Sequence, residues 1–180
     1  MVQTFSSHAI APAAVLRGEG AWVESLPRIQ ALCSGPMVLG RSRSTSNLRH
    51  KLSTDLNAAG LNPTSAQLQF DCCDHDLERL SLEAQGSDAV IAAGGGKVLD
   101  AGKLLAFRLS IPCITVPLSA STCAGWTALS NIYSPEGAFE SDVALNRCPD
   151  LLVFDHAFVR QAPSRTLASG VADALAKWYE

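Results

Sequence analysis

Gly94-Gly95-Gly96-Lys97 follows the apolar run Ala89–Ala93 and opens a helical stretch. Phosphate groups can be held by backbone N–H groups where no side chain blocks their approach. Three consecutive glycines remove the side chains and allow positive φ. A helix starting there offers unpaired N–H groups and the positive end of its dipole. Lys97 adds a point charge; Asp100 lies one turn in, and Lys103 follows three residues later. The pattern is not GxGxxG. Nor is it a P-loop, because Val98 rather than Ser or Thr follows Lys97. Three glycines alone would also suit a tight strand-to-helix turn with no ligand.

Other residues invite weaker readings. Cys72-Cys73-Asp74-His75-Asp76 brings potential metal ligands together, but the spacing fits no zinc pattern, and Asp74 or Asp76 is placed to cap the next helix. His8, His50 and His156 are isolated. Asp173 shares a helical face with Ser169, Gly170 and Lys177. From periodicity alone it reads as a surface carboxylate paired with Lys177.

The elements that must position these residues alternate. Helices are expected over 21–32, 46–59, 77–84 and 96–107, and strands over 37–40, 68–70, 89–93, 113–116 and 151–154. The fully apolar run before Gly94 reads as a strand buried on both faces, and 113–116 after Pro112 as another buried strand. This rhythm predicts an α/β fold, a Rossmann-like parallel sheet with helices on both faces. Residues 127–133 and 138–145, joined by Ser134-Pro135-Glu136-Gly137, predict an added β-hairpin. Pro163 opens a last helix on which Leu167, Val171, Leu175 and Trp178 share one face.

Composition bounds the rest. The 180 residues are 47% hydrophobic and 17% charged, with a net charge of −3. A chain of this length buries roughly 70% of its unfolded surface and needs no disulfides. The 14 basic residues are scattered, so neither nucleic acid nor an acidic membrane is indicated as a partner. No run of 18 apolar residues occurs, and the start of the chain lacks the features of a signal peptide. The six cysteines form no CxxC pair and read as reduced thiols of a cytoplasmic protein.

Residues 92–103, Ala-Ala-Gly-Gly-Gly-Lys-Val-Leu-Asp-Ala-Gly-Lys, resemble the GGGKxxDxxK signature of the iron-containing alcohol dehydrogenase and glycerol dehydrogenase family. Pro117-Leu118-Ser119-Ala120-Ser121-Thr122 is similar to that family's P-T-x-A-S-T loop, and residues 162–180 to its A-P…G-D-A-L-A-K-W-x-E helix. Leu118 replaces the family's Thr and Ala172 its Gly. The resemblance implies that Gly94, Gly95, Gly96 and Lys97 hold a dinucleotide's phosphates and that Asp100 helps fix its nicotinamide half. It implies that Ser121, Thr122, Thr127, Leu129 and Tyr133 line the nicotinamide side. It makes Asp173 a ligand of a divalent metal, zinc or iron, which would polarise the substrate's oxygen as a Lewis acid.

Thr122-Cys123-Ala124-Gly125-Trp126-Thr127 with Leu129, Ser130 and Tyr133 most resembles the hydroxycarboxylate dehydrogenase branch. Glycerol dehydrogenases carry Asp where this chain has Cys123. A neutral thiol repels a substrate carboxylate less, so the expected reaction is hydride transfer between NAD(P)H and a small 2-oxo or 2-hydroxy acid. Cys123 also reads as a small space-filling thiol. Glycerol or another alcohol is the second substrate reading, and a non-catalytic nucleotide-binding module the third; a dehydroquinate synthase-like lyase matches the blocks less well. An acid after the second strand would bind the adenosine ribose, whereas a base accommodates a 2′-phosphate. Arg41 and Arg43 follow Gly40, alternating with Ser42 and Ser44, which favours NADP over NAD. The two arginines also read as solvated loop residues.

The resemblance divides the chain into a nucleotide-binding domain over 1–162 and, over 163–180, the start of a helical metal-binding domain whose histidines lie beyond this sequence. The chain therefore reads as an N-terminal part, expected to bind nucleotide weakly and to be inactive or nearly so by itself. Both monomer and homo-oligomer remain open.

Overall fold

The computed structural model describes residues 11–41 and 43–179. His8, Ser42 and Glu180, named above, lie outside them. The elements run β1 (Val15–Gly18), α1 (Ala21–Leu32), β2 (Pro36–Gly40), a 3-10 turn (Arg43–Thr45), α2 (Ser46–Ala58), β3 (Thr64–Gln67), α3 (Asp74–Glu83), β4 (Ala89–Gly94), α4 (Gly96–Leu109) and β5 (Cys113–Pro117). After these come β6 (Leu129–Tyr133), β7 (Phe139–Ala144), β8 (Leu151–Asp155), α5 (His156–Val159) and α6 (Ser164–Ala176).

Six strands form one sheet in the order β1-β8-β5-β4-β2-β3, and all its pairings are parallel. Strand residues alternate between two apolar layers. Val38, Ile91 and Ile114 meet Trp22 and Ile29 of α1, Leu52 and Leu56 of α2, and Phe158 of α5. Met37, Leu39 and Val90 meet Leu77 and Leu80 of α3 and Leu104 and Leu105 of α4. Side chains two residues apart share a face, so uninterrupted apolar strands feed both layers. The expected Rossmann-like sheet with helices on both faces is therefore the fold. The antiparallel pair β6–β7 is the expected hairpin, packed through Ile132 and Leu145 on the α3–α4 side.

Some boundaries differ from expectation. The strand expected at 68–70 lies at Thr64–Gln67, at the sheet edge, where only Ala66 is buried. Leu68 joins the core from just beyond the strand, its amide donating to Gly40 O at 2.8 Å. Its apolarity marks a core position, not a strand. Helix α3 starts at Asp74, so Asp74 and Asp76 lie inside it and neither is its cap. The fully buried Asp76 instead accepts from the Gln69 amide at 2.7 Å, the Phe70 amide at 3.2 Å and the Arg79 guanidinium. It closes the loop before the helix. Strand β1 was not expected; it pairs with β8 from Val15↔Leu152 to Gly18↔Asp155.

Helix α4 approaches the sheet closely at Gly102, where an added Cβ would overlap Ala92 of β4. Gly102→Ala adds about 1 kcal/mol of helix propensity but overpacks the contact by about 1–3 kcal/mol. A lower urea midpoint at unchanged slope is expected; an unchanged or higher midpoint would show that the layers can part without loss.

None of the six cysteines is in a disulfide, and of the six only Cys123 is exposed. Burial raises the Cys33 thiol to about 11 and the Cys72 and Cys113 thiols to about 12, so these stay protonated at neutral pH. The native chain should show one fast-labelling thiol, lost in Cys123→Ala. Rapid labelling of two or more would contradict this burial pattern.

Candidate dinucleotide cleft

Adjacent strands β2 and β4 send their following helices to opposite faces, α2 to one and α4 to the other. Such a reversal opens a crevice at the carboxyl ends of the strands. Here it holds a pocket of about 260 Å³ lined by Arg41, Thr45 and the run Gly94–Val98. Through Thr45 and Gly95 it continues into a space of about 360 Å³ whose apolar walls are Leu48, Leu118 and Phe158. On the other side Gly96 and Lys97 border a third space of about 390 Å³. That space reaches Asp100, Ser121, Thr122 and Cys123, then Thr127, Leu129 and Tyr133, and on its far wall Asp173. The residues expected to bind the cofactor, together with Cys123 and Asp173, thus lie along one continuous cleft.

The glycines serve space, not a left-handed turn. None of Gly94, Gly95 and Gly96 has positive φ, contrary to one part of the expectation. A Cβ at Gly94 would come within 2.7 Å of Val98 Cβ, and one at Gly96 within 3.0 Å of Thr122 Cγ2. Gly95 is the N-cap of α4, with φ −87° and ψ −175°. A Cβ there would meet only Ser119 Oγ, at 3.7 Å, on the cleft side. The turn is bare because the first turn of α4 and the loop after β5 close around it.

Electrostatics divides the cleft in two. At the glycine end, the Asp71 side chain, 9% exposed, is ion-paired to both Arg41 and Lys97. Burial alone would raise its pKa. Hydrogen bonds from Lys97 and Arg41, reinforced by their charges, outweigh that and hold the carboxyl below its usual range. Lys97 Nζ also lies 4.6 Å from the Tyr133 ring centroid.

Deeper in, Asp100 (9% exposed) pairs with Lys103 (1% exposed), Oδ1 to Nζ 3.1 Å. Lys103 donates to Thr127 O at 3.3 Å, to Thr127 Oγ1 at 3.2 Å and to Leu129 O. Ser130 Oγ donates to Asp100 O at 3.1 Å. This buried pair ties α4 to the start of the hairpin and sets where Thr127 and Leu129 meet the cleft. Burial raises the Asp100 carboxyl despite the opposing pull of Lys103.

The loop after β5 is held by Thr115 Oγ1 donating to Gly125 O at 2.9 Å and by the Trp126 amide donating to Cys123 O at 2.8 Å. Helix α6 rests on it at Gly170, where a Cβ would strike the Ala120 carbonyl. That contact brings Asp173 into the same space as Cys123. No residue of α6 is buried, and Leu167, Val171 and Leu175 are all more than half exposed. Among the described residues no three of His, Cys, Asp and Glu gather to hold a metal, so Asp173 has no partner ligands here. The same holds for the 72–76 cluster, where Cys72 and Cys73 are buried.

Asp71 was missed by sequence reasoning. Its signal was an acid just after an edge strand, masked by the more conspicuous cysteines and histidine that follow. Leu48 and Phe158 were missed because they reach the cleft from helices otherwise committed to the core.

Comparison with known proteins agrees with the fold and the cleft. An uncharacterized oxidoreductase of Synechocystis is 42% identical over 182 residues, covering 100% of this chain and 47% of that one. Glycerol dehydrogenase of Thermotoga maritima is 45% identical over 111 residues, 61% of this chain and 30% of its own. Hydroxycarboxylate dehydrogenase A of Escherichia coli is 38% identical over 111 residues, again 61% and 30%. The crystal structure of a probable glycerol dehydrogenase from Sinorhizobium meliloti superposes with a TM-score of 0.85 at 29% identity, over 98% of this chain and 48% of that one. The chain thus spans about half or less of the length of the relatives it matches. A family model described as iron-containing alcohol dehydrogenase matches residues 12–156, and the chain belongs to that family.

Proposed function

We propose that this chain is the nucleotide-binding part of an NADP-dependent oxidoreductase that interconverts a small 2-oxo acid and its 2-hydroxy acid. When bound, the dinucleotide supplies or accepts the hydride. The chain's own residues bind and orient it. Gly95, Gly96 and the first amides of α4 receive the pyrophosphate. The apolar space between Leu48, Leu118 and Phe158 suits a purine, and the wall from Ser121 to Tyr133 receives the nicotinamide. The bare turn supports this reading, since Gly95 leaves the backbone at the start of α4 open to the crevice, a Cβ there meeting only Ser119 Oγ at 3.7 Å. Asp173 alone does not complete a metal site, so no step is assigned to a metal. Six cysteines outside any disulfide support a reducing, cytoplasmic setting. Residues 1–162 are proposed as the nucleotide domain and 163–180 as the start of a second one.

The single observation carrying the substrate class is Cys123, a thiol in place of a carboxylate, exposed in the space it shares with Asp173. A carboxylate there would repel an acid substrate. Similarity to glycerol dehydrogenases favours a second reading, a polyol substrate. In the complete gene product, kcat/KM for 2-oxo acid reduction is expected to exceed that for glycerol oxidation. Cys123→Asp should shift the ratio toward glycerol about tenfold, the scale of one lost or gained charged contact. A wild-type preference for glycerol would establish the polyol reading instead.

NADP is favoured because Arg41 lies beside the glycine turn, where an acid would suit NAD. In fluorescence titrations NADPH should bind at least about tenfold more tightly than NADH, and Arg41→Gln should abolish the difference. Equal or tighter NADH binding would overturn the choice.

A further inference from the structure

Arg41 and Lys97 come from the ends of different strands, and nothing in their own loops forces them together. Arg41 follows β2, and Lys97 lies in the first turn of α4. Both are substantially exposed, at 40% and 43% of the side chain. Long cationic side chains at such exposure would otherwise sample many rotamers. What they share is one carboxylate. Asp71 Oδ1 accepts from Arg41 Nη1, and Asp71 Oδ2 accepts from Lys97 Nζ.

Asp71 is itself held from behind. The Tyr133 amide donates to Cys72 O at 2.8 Å, joining the Asp71 loop to the hairpin. At the hairpin turn, Gly137 has φ +89°, and a Cβ there would come within 3.1 Å of Asp71 Oδ2. Lys97 in turn lies over the Tyr133 ring. The carboxylate is thus wedged among the β2 end, the start of α4 and the hairpin. With two cations on one anion, the group presents a net positive charge to the crevice.

We propose that Asp71 is a positioning residue for dinucleotide selection: it holds Arg41 and Lys97 as a convergent pair of cations beside the bare glycine turn, so that the crevice discriminates for a 2′-phosphorylated dinucleotide. The inference rests on the proposed NADP reading and adds to it the residue that fixes the cations. Asp71 does not touch the nucleotide. It limits the cations' freedom before binding, so less conformational entropy is lost when the phosphates arrive. Its own charge is spent on the two cations, so the gain from ordering them outweighs repulsion of the incoming phosphates.

The test measures dissociation constants of NADPH and NADH for the wild-type chain, Asp71→Asn, Asp71→Glu, Arg41→Gln and the Asp71→Asn/Arg41→Gln double variant, each with its melting temperature. Asp71→Asn should weaken NADPH about tenfold and NADH less, so the preference falls. In the Arg41→Gln background the same substitution should leave the NADPH-to-NADH ratio unchanged, a coupling that a purely structural role would not produce. Asp71→Glu keeps the charge but cannot keep its place beneath Gly137, and should also lower the preference. It serves as the second variant if Asp71→Asn does not fold. A ratio unaltered or raised in both single variants overturns the proposal. A wild type that prefers NADH sinks the NADP reading on its own terms. Asp71 is then judged through Lys97: weaker NADH binding in Asp71→Asn, absent in a Lys97→Met background, upholds the clamp, and unchanged NADH binding overturns it.

Discussion

Strands β2 and β4 are hydrogen-bonded neighbours, Pro36↔Ala89 through Leu39↔Ala92, yet the helices that follow them pack on opposite faces of the sheet. The backbone cannot leave two adjacent strand ends in opposite directions without opening a gap between them. In this chain the gap is walled by backbone and small residues on the β4 side and by Arg41 and Thr45 on the β2 side. Everything else in the cleft is a consequence of keeping that gap open while closing the rest of the molecule. Gly94 lets β4 end against Val98 of α4, and Gly96 lets α4 start against Thr122, without filling it. The loop after β5 closes its floor.

Two ion-paired groups then divide the labour by burial. Asp100 and Lys103 are nearly inaccessible, so their charges are expensive to desolvate, and their net stabilisation is modest once that cost is counted. What they provide is a location. Lys103 donates to Thr127 and to the carbonyl of Leu129, which fixes the hairpin base against α4. Asp71 differs, because both of its partners remain substantially exposed. Its pair energies are screened by water, and its effect is on where two mobile cations point. One acid anchors a backbone and the other aims side chains.

Much of this was legible in the sequence because it depends on local pattern. Apolar runs such as 89–93 and 113–116 can only be strands buried on both sides, and the bare turn between strand and helix announces its purpose by what it lacks. The exceptions have physical reasons. Strand β3 is an edge strand built from Thr64, Ser65, Ala66 and Gln67, with no alternation to read. Strand β1 is four residues long and owes its existence to pairing with β8, 133 or more positions away. Asp76 looked like a cap because caps are common there, but a buried acid with two loop amides in reach is better satisfied by them. Asp71 could not be found by spacing at all, since Arg41 is 30 residues before it and Lys97 is 26 after. Only the sheet order brings the three together.

Helix α6 carries the same logic to the edge of the described structure. Its contact with the body is made at Gly170, seated on the Ala120 carbonyl, and its apolar residues Leu167, Val171 and Leu175 point away from the sheet. A helix that buries none of its own residues is held by backbone fit rather than by a core. That fit nevertheless places Asp173 across the cleft from Cys123 and in the same space as Asp100. The side of the cleft that meets the glycine turn is built from buried elements, while the side bearing Asp173 is a helix with no buried residue. The apolar residues Leu167, Val171 and Leu175 are uncovered among the described residues, and the chain spans 47% of the Synechocystis relative's length.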